Sequence, residues 1–290
     1  MDKILVTGAN GQLGSEIKAI ADSFPKDKFF FTDLGELNIC QHKAVELFVN
    51  RHKINIIINC AAYTAVDKAE GEFDLANKIN HLAVKNFARI AKMRNIKMVH
   101  ISTDYVFDGQ NHQPYLENDK PNPQSVYGKT KLDGEIAVQA VNPANTIIIR
   151  TSWVYSNFGA NFVKTMLKLS ETKNEISVIT DQIGSPTNAS DLAKSILTIL
   201  PYVSNKNVEI YNYSNEGICS WYDFAIAIFD ISKINIKVEP ILSAQFHTAA
   251  KRPLFSVLNK TKIKDRYPIK IPYWRSSLIK NLRQRNVKFK

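Results

Sequence analysis

A phenol and an ammonium stand four residues apart in Ser125-Val126-Tyr127-Gly128-Lys129-Thr130-Lys131. On a helix, positions i and i+4 share a face, so Lys131 would lie beside Tyr127. A cation there favours the phenolate of a group that ordinarily ionises near pH ~10. Lowering that value by about three units takes roughly 4 kcal/mol of differential interaction and brings it into the range where general acid–base catalysis works best. The chemistry would be delivery of a proton to a carbonyl oxygen. The same spacing also describes two solvated side chains on an amphipathic helix, so the surrounding elements must decide between the two.

Those elements begin at the N-terminus. The apolar run Ile4-Leu5-Val6 leads into Thr7-Gly8-Ala9-Asn10-Gly11-Gln12-Leu13-Gly14 and then the helical pattern Ile17, Ile20, Ala21. In this strand, turn and helix, Gly8 permits the tight turn, Gly11 lets backbone approach a diphosphate, and Gly14 lets the helix pack on the strand. Phe29-Phe30-Phe31-Thr32 reads as a second strand. Asp33, 19 residues past Gly14, falls where dinucleotide folds set an acid against the adenosine ribose. A carboxylate there repels a 2'-phosphate, and no Arg or Lys flanks the glycine loop, which favours NADH with NADPH tolerated.

A helix over 41–52, a buried strand over 54–59, a long helix over 72–94 and a strand over 97–102 follow. Loops at the carboxyl ends of parallel strands are where ligands sit in such sheets. After the third strand come the small residues Ala61 and Ala62, which allow close approach of a cofactor. After the fourth comes Ser102-Thr103-Asp104-Tyr105-Val106-Phe107. The Thr103 hydroxyl could hold a carbonyl beside Tyr127, giving the trio Thr103, Tyr127 and Lys131; its other role would be to cap a turn. Asn80, inside the long helix, reads as polar packing. A fifth strand over 146–150 completes the alternation. The fold expected is α/β, a Rossmann-type doubly wound parallel sheet with a smaller C-terminal α/β substrate-binding domain. Residues 1–150 form the nucleotide-binding part and 151–290 the substrate-binding part, with later segments returning to the first. Beyond 151, helices over 161–170 and 190–200 flank a tight loop, Asp181-Gln182-Ile183-Gly184-Ser185-Pro186-Thr187.

The 290 residues and 44% apolar content suit a substantial core. Cys40, Cys60 and Cys219 are too few and too scattered for a disulfide framework or a zinc site. No apolar leader and no apolar span of membrane length is visible, so a cytoplasmic protein is expected. The formal charge of +11 resides in residues 251–290, with 13 Lys or Arg and the single acid Asp265. Aromatic and aliphatic residues interleave with these cations, as in a folded segment. A solvated basic surface, a lip for an anionic small molecule and a nucleic-acid patch all remain open from charge alone.

Together, the glycine motif, Ser-Thr-Asp-Tyr-Val-Phe and Tyr-Gly-Lys-Thr-Lys resemble the extended short-chain dehydrogenase/reductases, and within them the dTDP-4-dehydrorhamnose reductase family. The likeness extends to Ala62-Tyr63-Thr64-Ala65-Val66-Asp67-Lys68-Ala69-Glu70, Val126 to Gly134, Arg150 to Tyr155, Asp181 to Thr187, and Arg252-Pro253 with Ser256, Leu258 and Asn259. It implies a reductase that uses NADH or NADPH on the C4 keto group of a dTDP-sugar, with Tyr127 as proton donor, Lys131 on the nicotinamide ribose and Thr103 at the carbonyl. By the same likeness Gly11, Gln12, Leu13, Asp33, Ala62, Tyr63 and Thr64 line the cofactor, with Asn38 and Ile39 near its adenine. Thr103, Asp104 and Trp153 touch the sugar nucleotide. Arg252 joins them as a diphosphate contact, because a guanidinium grips phosphate oxygens two at a time.

Two departures stand out. Asn38 replaces an Asp common in relatives, which leaves the choice of NADH or NADPH open. Some relatives bind magnesium between subunits through acidic side chains near the C-terminus, and no carboxylate side chain follows Asp265 here. No metal is therefore expected, in a monomer or homodimer that binds neither nucleic acid nor membrane. Among rival readings, a 4,6-dehydratase needs an Asp-Glu pair after the threonine, whereas Tyr105 follows Asp104; an epimerase remains a relative of the same class. A regulatory subunit without catalysis would not need Thr103, Tyr127 and Lys131 together.

Overall fold

Short runs rich in Ile, Val and Phe form the expected strands. A computed structural model of the protein describes residues 1–284. In it Lys3–Thr7 (β1), Lys28–Thr32 (β2), Ile56–Asn59 (β3), Lys97–Thr103 (β4) and Thr146–Thr151 (β5) alternate with helices Gln12–Ile20 (α1), His42–His52 (α2), Ala83–Arg94 (α3) and Val126–Val141 (α4). Further on lie Phe162–Leu169 (α5), Ala189–Ile199 (α6), a strand Glu209–Tyr213 (β6), Trp221–Ser232 (α7) and Trp274–Gln284 (α8). The six strands make one sheet in the order β6-β5-β4-β3-β1-β2, parallel throughout. From β1 the chain builds to β2 on one side and to β3 and beyond on the other. That reversal opens a crevice at the carboxyl ends of the strands.

Alternate strand residues face opposite sides of a sheet. Ile4, Val6, Ile56, Ile58, Ile147 and Ile149 pack with Leu13 and Ile17 of α1 and Leu192 and Ile196 of α6. Leu5, Ile57, Met98 and Ile148 pack on the other face with Val49 of α2, Phe87 of α3 and Val138 of α4. Burying each such side chain contributes about 1.5–3 kcal/mol, so the helices are held by the sheet more than by their own propensity. Both β6 and α6 come from beyond residue 151 yet belong to this layered body. A third core joins Val163 and Met166 of α5, Phe224 and Ile228 of α7 and Leu278 and Leu282 of α8.

The helix expected over 72–94 is not uniform. Phe73–Asn77 runs through a widened π turn, Lys78–Leu82, into α3. Asn80 is buried at that turn. Its Oδ1 accepts from Tyr63 N at 2.9 Å, and its Nδ2 donates to Tyr63 O and to Thr130 Oγ1, both at 3.1 Å. The π turn thus fixes the loop after β3 against α4.

The basic tail is folded in its described part. Arg252 pairs with Asp67, Lys260 and Lys264 with Glu216, Lys262 with Glu209, and Arg275 with Asp230. Arg285, Lys288 and Lys290 lie outside the described residues. The three cysteines are free, and among the described residues no helix is long and apolar enough to cross a membrane.

Behind the Tyr127–Lys131 face, Glu135 and Arg150 form an ion pair whose side chains are 1% and 2% exposed. Arg150 Nη2 donates to Glu135 Oε2 at 2.7 Å and its Nε to Oε1 at 3.0 Å. Ser102 Oγ adds a donor to Oε1 at 2.5 Å, and Arg150 Nη1 donates to Glu117 O at 3.1 Å. Removing one partner of such a pair strands a buried charge. Arg150→Met is therefore expected to lower unfolding free energy by about 3–5 kcal/mol, with much of the loss recovered when Glu135→Met is added. Urea denaturation of the two variants checks this.

Candidate active site

Ser125 sets the start of α4: its Oγ accepts from Gly128 N at 3.2 Å. Tyr127 therefore lies in the first turn and Lys131 one turn later, on the same face. Gly128 is needed where α4 presses on the turn after β4, because a Cβ there would sit 2.2 Å from Tyr105 O. Thr103 ends β4; its Oγ1 donates to Asp104 Oδ1 at 3.0 Å and accepts from Tyr105 N at 3.2 Å. The Thr103 hydroxyl acts on Tyr127 in the direction that favours its phenolate, and the Tyr105 ring meets Tyr127 edge-on at 5.4 Å. Lys131 is 2% exposed, with Nζ donating to Ile101 O at 2.6 Å. Thr103, Tyr127 and Lys131 thus line one cleft.

The electrostatics correct one expectation. Burial pushes the Tyr127 phenol up to about 12, outweighing the lowering effect of the Thr103 hydroxyl, and Asp104 adds to the rise. The depression expected from Lys131 is absent. Burial instead lowers Lys131 itself to about 8, against the upward pull of Glu135 and Cys60. Removing a phenol or an ammonium from water disfavours whichever form is charged. Tyr127 consequently keeps its proton at neutral pH, as a donor must.

The cleft, about 960 Å³ in volume, extends from these residues to the glycine turn. Gly8 has φ +66°, and a Cβ on it would lie 2.7 Å from Ala61 backbone. Gly14 packs beneath the turn and away from the cleft, where a Cβ would meet Gly8 O at 2.3 Å. At the start of α1, Gly11 offers no side-chain cap and the first turn carries no acid. Its N–H groups lack intrahelical acceptors, so the helix end presents partial positive charge. Gly11, Gln12 and Leu13 line the cleft there, which fits the diphosphate of a dinucleotide.

At the other end of this cradle, Asp33 accepts from Asn10 N at 2.9 Å and Leu34 N at 2.8 Å. Asn38 and Ile39 lie alongside it, and Asn38 Oδ1 accepts from Cys40 N at 3.0 Å. Ala62 and Thr64 line the cleft, but Tyr63 does not. Its hydroxyl donates to Glu72 Oε2 at 2.6 Å, and its backbone is held by Asn80. The Gln12 side chain turns toward the segment after β5, with Nε2 donating to Val154 O at 3.2 Å and Oε1 accepting from Asn161 Nδ2 at 3.0 Å.

On the side facing the C-terminal segments, Asp104 and Trp153 line the cleft and Arg252 does not. Arg252 Nη2 donates to Asp67 Oδ2 at 2.6 Å and Nη1 to Asp67 Oδ1 at 3.1 Å. It borders a smaller neighbouring hollow with Gln182, Ser243 and His247. Lys78 of the π turn lines the cleft beside Cys40, though nothing in its local sequence distinguishes it from a surface lysine. Glu135 was missed as a functional candidate as well. Its signal was present, since Tyr127, Lys131 and Glu135 recur every four residues. Among the described residues, no group of three His, Cys, Asp or Glu is arranged to hold a metal.

Comparison with known proteins adds a family to this geometry. Residues 1–286 match the model described as the RmlD substrate binding domain. The chain is 39% identical to the spore coat polysaccharide biosynthesis protein SpsK of Bacillus subtilis, with 99% of each chain covered. It is 45% identical to the crystal structure of a dTDP-4-dehydrorhamnose reductase from Clostridium acetobutylicum, with a TM-score of 0.92, covering 97% of this chain and 99% of that one. A dTDP-4-dehydrorhamnose reductase from Bacillus anthracis, solved in complex with NADP, is 36% identical, with a TM-score of 0.92 and coverage of 98% and 99%.

Asp104 provides a test of the site's electrostatics. It is 2% exposed and its Oδ2 has no hydrogen-bond partner. Burial raises its carboxyl from 3.8 to about 6, against the pull of the Ser256 and Thr103 hydroxyls. Because the folded value is the higher one, its contribution to folding is complete below about pH 4 and is lost as pH rises through about 6. That shift corresponds to about 3 kcal/mol. Asp104→Asn is expected to gain up to about that much stability over the wild type between pH 4 and pH 8, measured by urea denaturation at each pH.

Proposed function

The chain belongs to the RmlD substrate binding domain family, and from that membership we propose that it is a dTDP-4-dehydrorhamnose reductase. It reduces the C4 keto group of dTDP-4-dehydro-6-deoxy-L-mannose to give dTDP-L-rhamnose. The observation that supports this reading most is the convergence of Thr103, Tyr127 and Lys131 in one cleft that continues to an uncapped, glycine-bounded helix N-terminus.

In the reaction, Thr103 and Tyr127 hold the C4 carbonyl oxygen between their hydroxyls. The nicotinamide of NADH or NADPH, when bound, supplies the hydride. Tyr127 gives its proton to the oxygen, which becomes the hydroxyl of the product. The charge left on Tyr127 is stabilised by the Lys131 ammonium, which also holds the nicotinamide ribose. Gly8, Gly11, Gln12, Leu13 and Gly14 form the diphosphate cradle, with Gly14 acting through packing. Asp33, Asn38 and Ile39 hold the adenosine end, and Ala62 and Thr64 pass close to the cofactor. Tyr63 contributes by fixing that loop. Asp104 and Trp153 face the sugar nucleotide. Arg252 stands ready for its diphosphate, in competition with Asp67. No nucleophile is required: catalysis is positioning, charge stabilisation and one proton.

Tyr127→Phe, assayed by the oxidation of NADH or NADPH with freshly generated dTDP-4-dehydro-6-deoxy-L-mannose, is expected to lose about 10²–10⁴ in turnover while cofactor affinity is kept. Retained turnover would assign the proton to another group. Lys131 loses its charge near pH 8 in the cofactor-free protein. Since kcat/KM reports ionisations of the free enzyme, kcat/KM is expected to fall as pH rises through about 8. Lys131→Arg, whose guanidinium ionises above pH ~12, should carry no such limb in whatever activity it keeps.

A further inference from the structure

The loop Asp181–Thr187 has no part in the chemistry above, yet the structure places its glycine against the cleft wall. A Cβ on Gly184 would lie 2.6 Å from Trp153 Cε2, 2.7 Å from Cζ2 and 2.9 Å from Nε1. Cε2, bonded to the other two atoms, is the nearest, so the added carbon would stand nearly over Cε2, above the indole plane and not in it. The opposite face is covered by Trp221, stacked at 3.6 Å between centroids and 9° from parallel. Two groups at these separations cannot share one face, so the indole is clamped between them. The two jaws are joined: Gly184 pairs with Cys219 and Ile183 with Ser220 in a short antiparallel ladder. Ser220 is the N-cap of α7, whose first residue is Trp221. Trp221 is backed in turn by Phe162 at 4.6 Å.

Trp153 itself has φ +48°, a left-handed backbone that a bulky residue adopts only where its surroundings impose it. With both faces taken, what Trp153 offers the cleft is its rim. That rim includes an Nε1–H that donates to no acceptor among the described residues and is not sealed from solvent. We infer that Gly184 and Trp221 are positioning residues: they fix the edge that Trp153, already assigned to the sugar nucleotide, turns to the cleft. The inference rests on the reductase reading above and gives the Asp181–Thr187 loop a role in substrate specificity.

The test measures binding of dTDP-L-rhamnose and of NADPH by titration calorimetry, which needs no turnover. Gly184→Ala puts a methyl into a ring that Trp221 prevents from receding; it is expected to weaken dTDP-L-rhamnose about tenfold or more while NADPH affinity is unchanged. Trp221→Leu, which spares the glycine loop, should split the two ligands in the same way. In a Trp153→Leu background, Gly184→Ala should add less than about twofold, because its effect passes through the indole. Wild-type sugar-nucleotide affinity in Gly184→Ala and Trp221→Leu, or an undiminished effect without the indole, overturns the inference. A wild-type chain that binds neither dTDP-L-rhamnose nor its keto precursor overturns the reductase reading instead. The clamp is then judged by iodide quenching of tryptophan fluorescence: an increase in Gly184→Ala supports it, and no change overturns it.

Discussion

The hydrogen bond from the Lys131 ammonium to the Ile101 carbonyl is the constraint around which the site is built. A buried ammonium must be fully bonded or lose its proton, and the carbonyl it meets belongs to the strand that ends in Thr103. The bond therefore fixes α4 to β4 at one register. That register places Tyr127 above Thr103 and leaves the cleft open toward the glycine turn. Glu135, one helical turn beyond Lys131 on α4, pairs with Arg150 of β5, so two buried cations and one buried carboxylate share the space between α4 and the sheet. Each of these groups is costly alone and tolerable only because the others are fixed.

Much of this was legible in the sequence because it depends on local rules. Ile56-Ile57-Ile58 reads as a strand covered on both faces, and it is. The four-residue spacing of Tyr127 and Lys131 reads as one face of a helix, and they share one on α4. What could not be read depends on contacts between distant residues. Whether Tyr127 is raised or lowered is decided by how completely water is excluded, and burial wins over a lysine whose ammonium is spent on Ile101. Of Ala62, Tyr63 and Thr64, the sequence cannot say which turns away; Asn80, 17 residues on, captures the backbone of Tyr63. Arg252 looks like a free phosphate ligand until Asp67, 185 positions earlier, is brought to it by the fold.

The charge asymmetry of the chain has a similar explanation. A tail with thirteen cations and one acid suggests an arm for polyanions if read as a segment. Folded, it lends five of those cations to carboxylates at Asp67, Glu209, Glu216 and Asp230. The exposed pairs among them, Lys262–Glu209 and Arg275–Asp230, contribute little to stability individually, about 0–1 kcal/mol, but the set records which surfaces the tail covers. The basic composition is thus partly a consequence of packing a late segment onto acidic elements laid down before it.

The Gln12 side chain, bonded to Val154 and Asn161, has a consequence for how the two ligands sense each other. Ser156 reinforces the same junction, its Oγ donating to the buried Glu16 Oε1 at 2.7 Å. The segment from Trp153 to Asn161 therefore carries the clamped indole at one end and is bolted to the first turns of α1 at the other. The glycine turn and the Trp153 edge thus share one connecting element. Any coupling between cofactor and sugar that passes through this segment is equal in both directions by thermodynamic reciprocity.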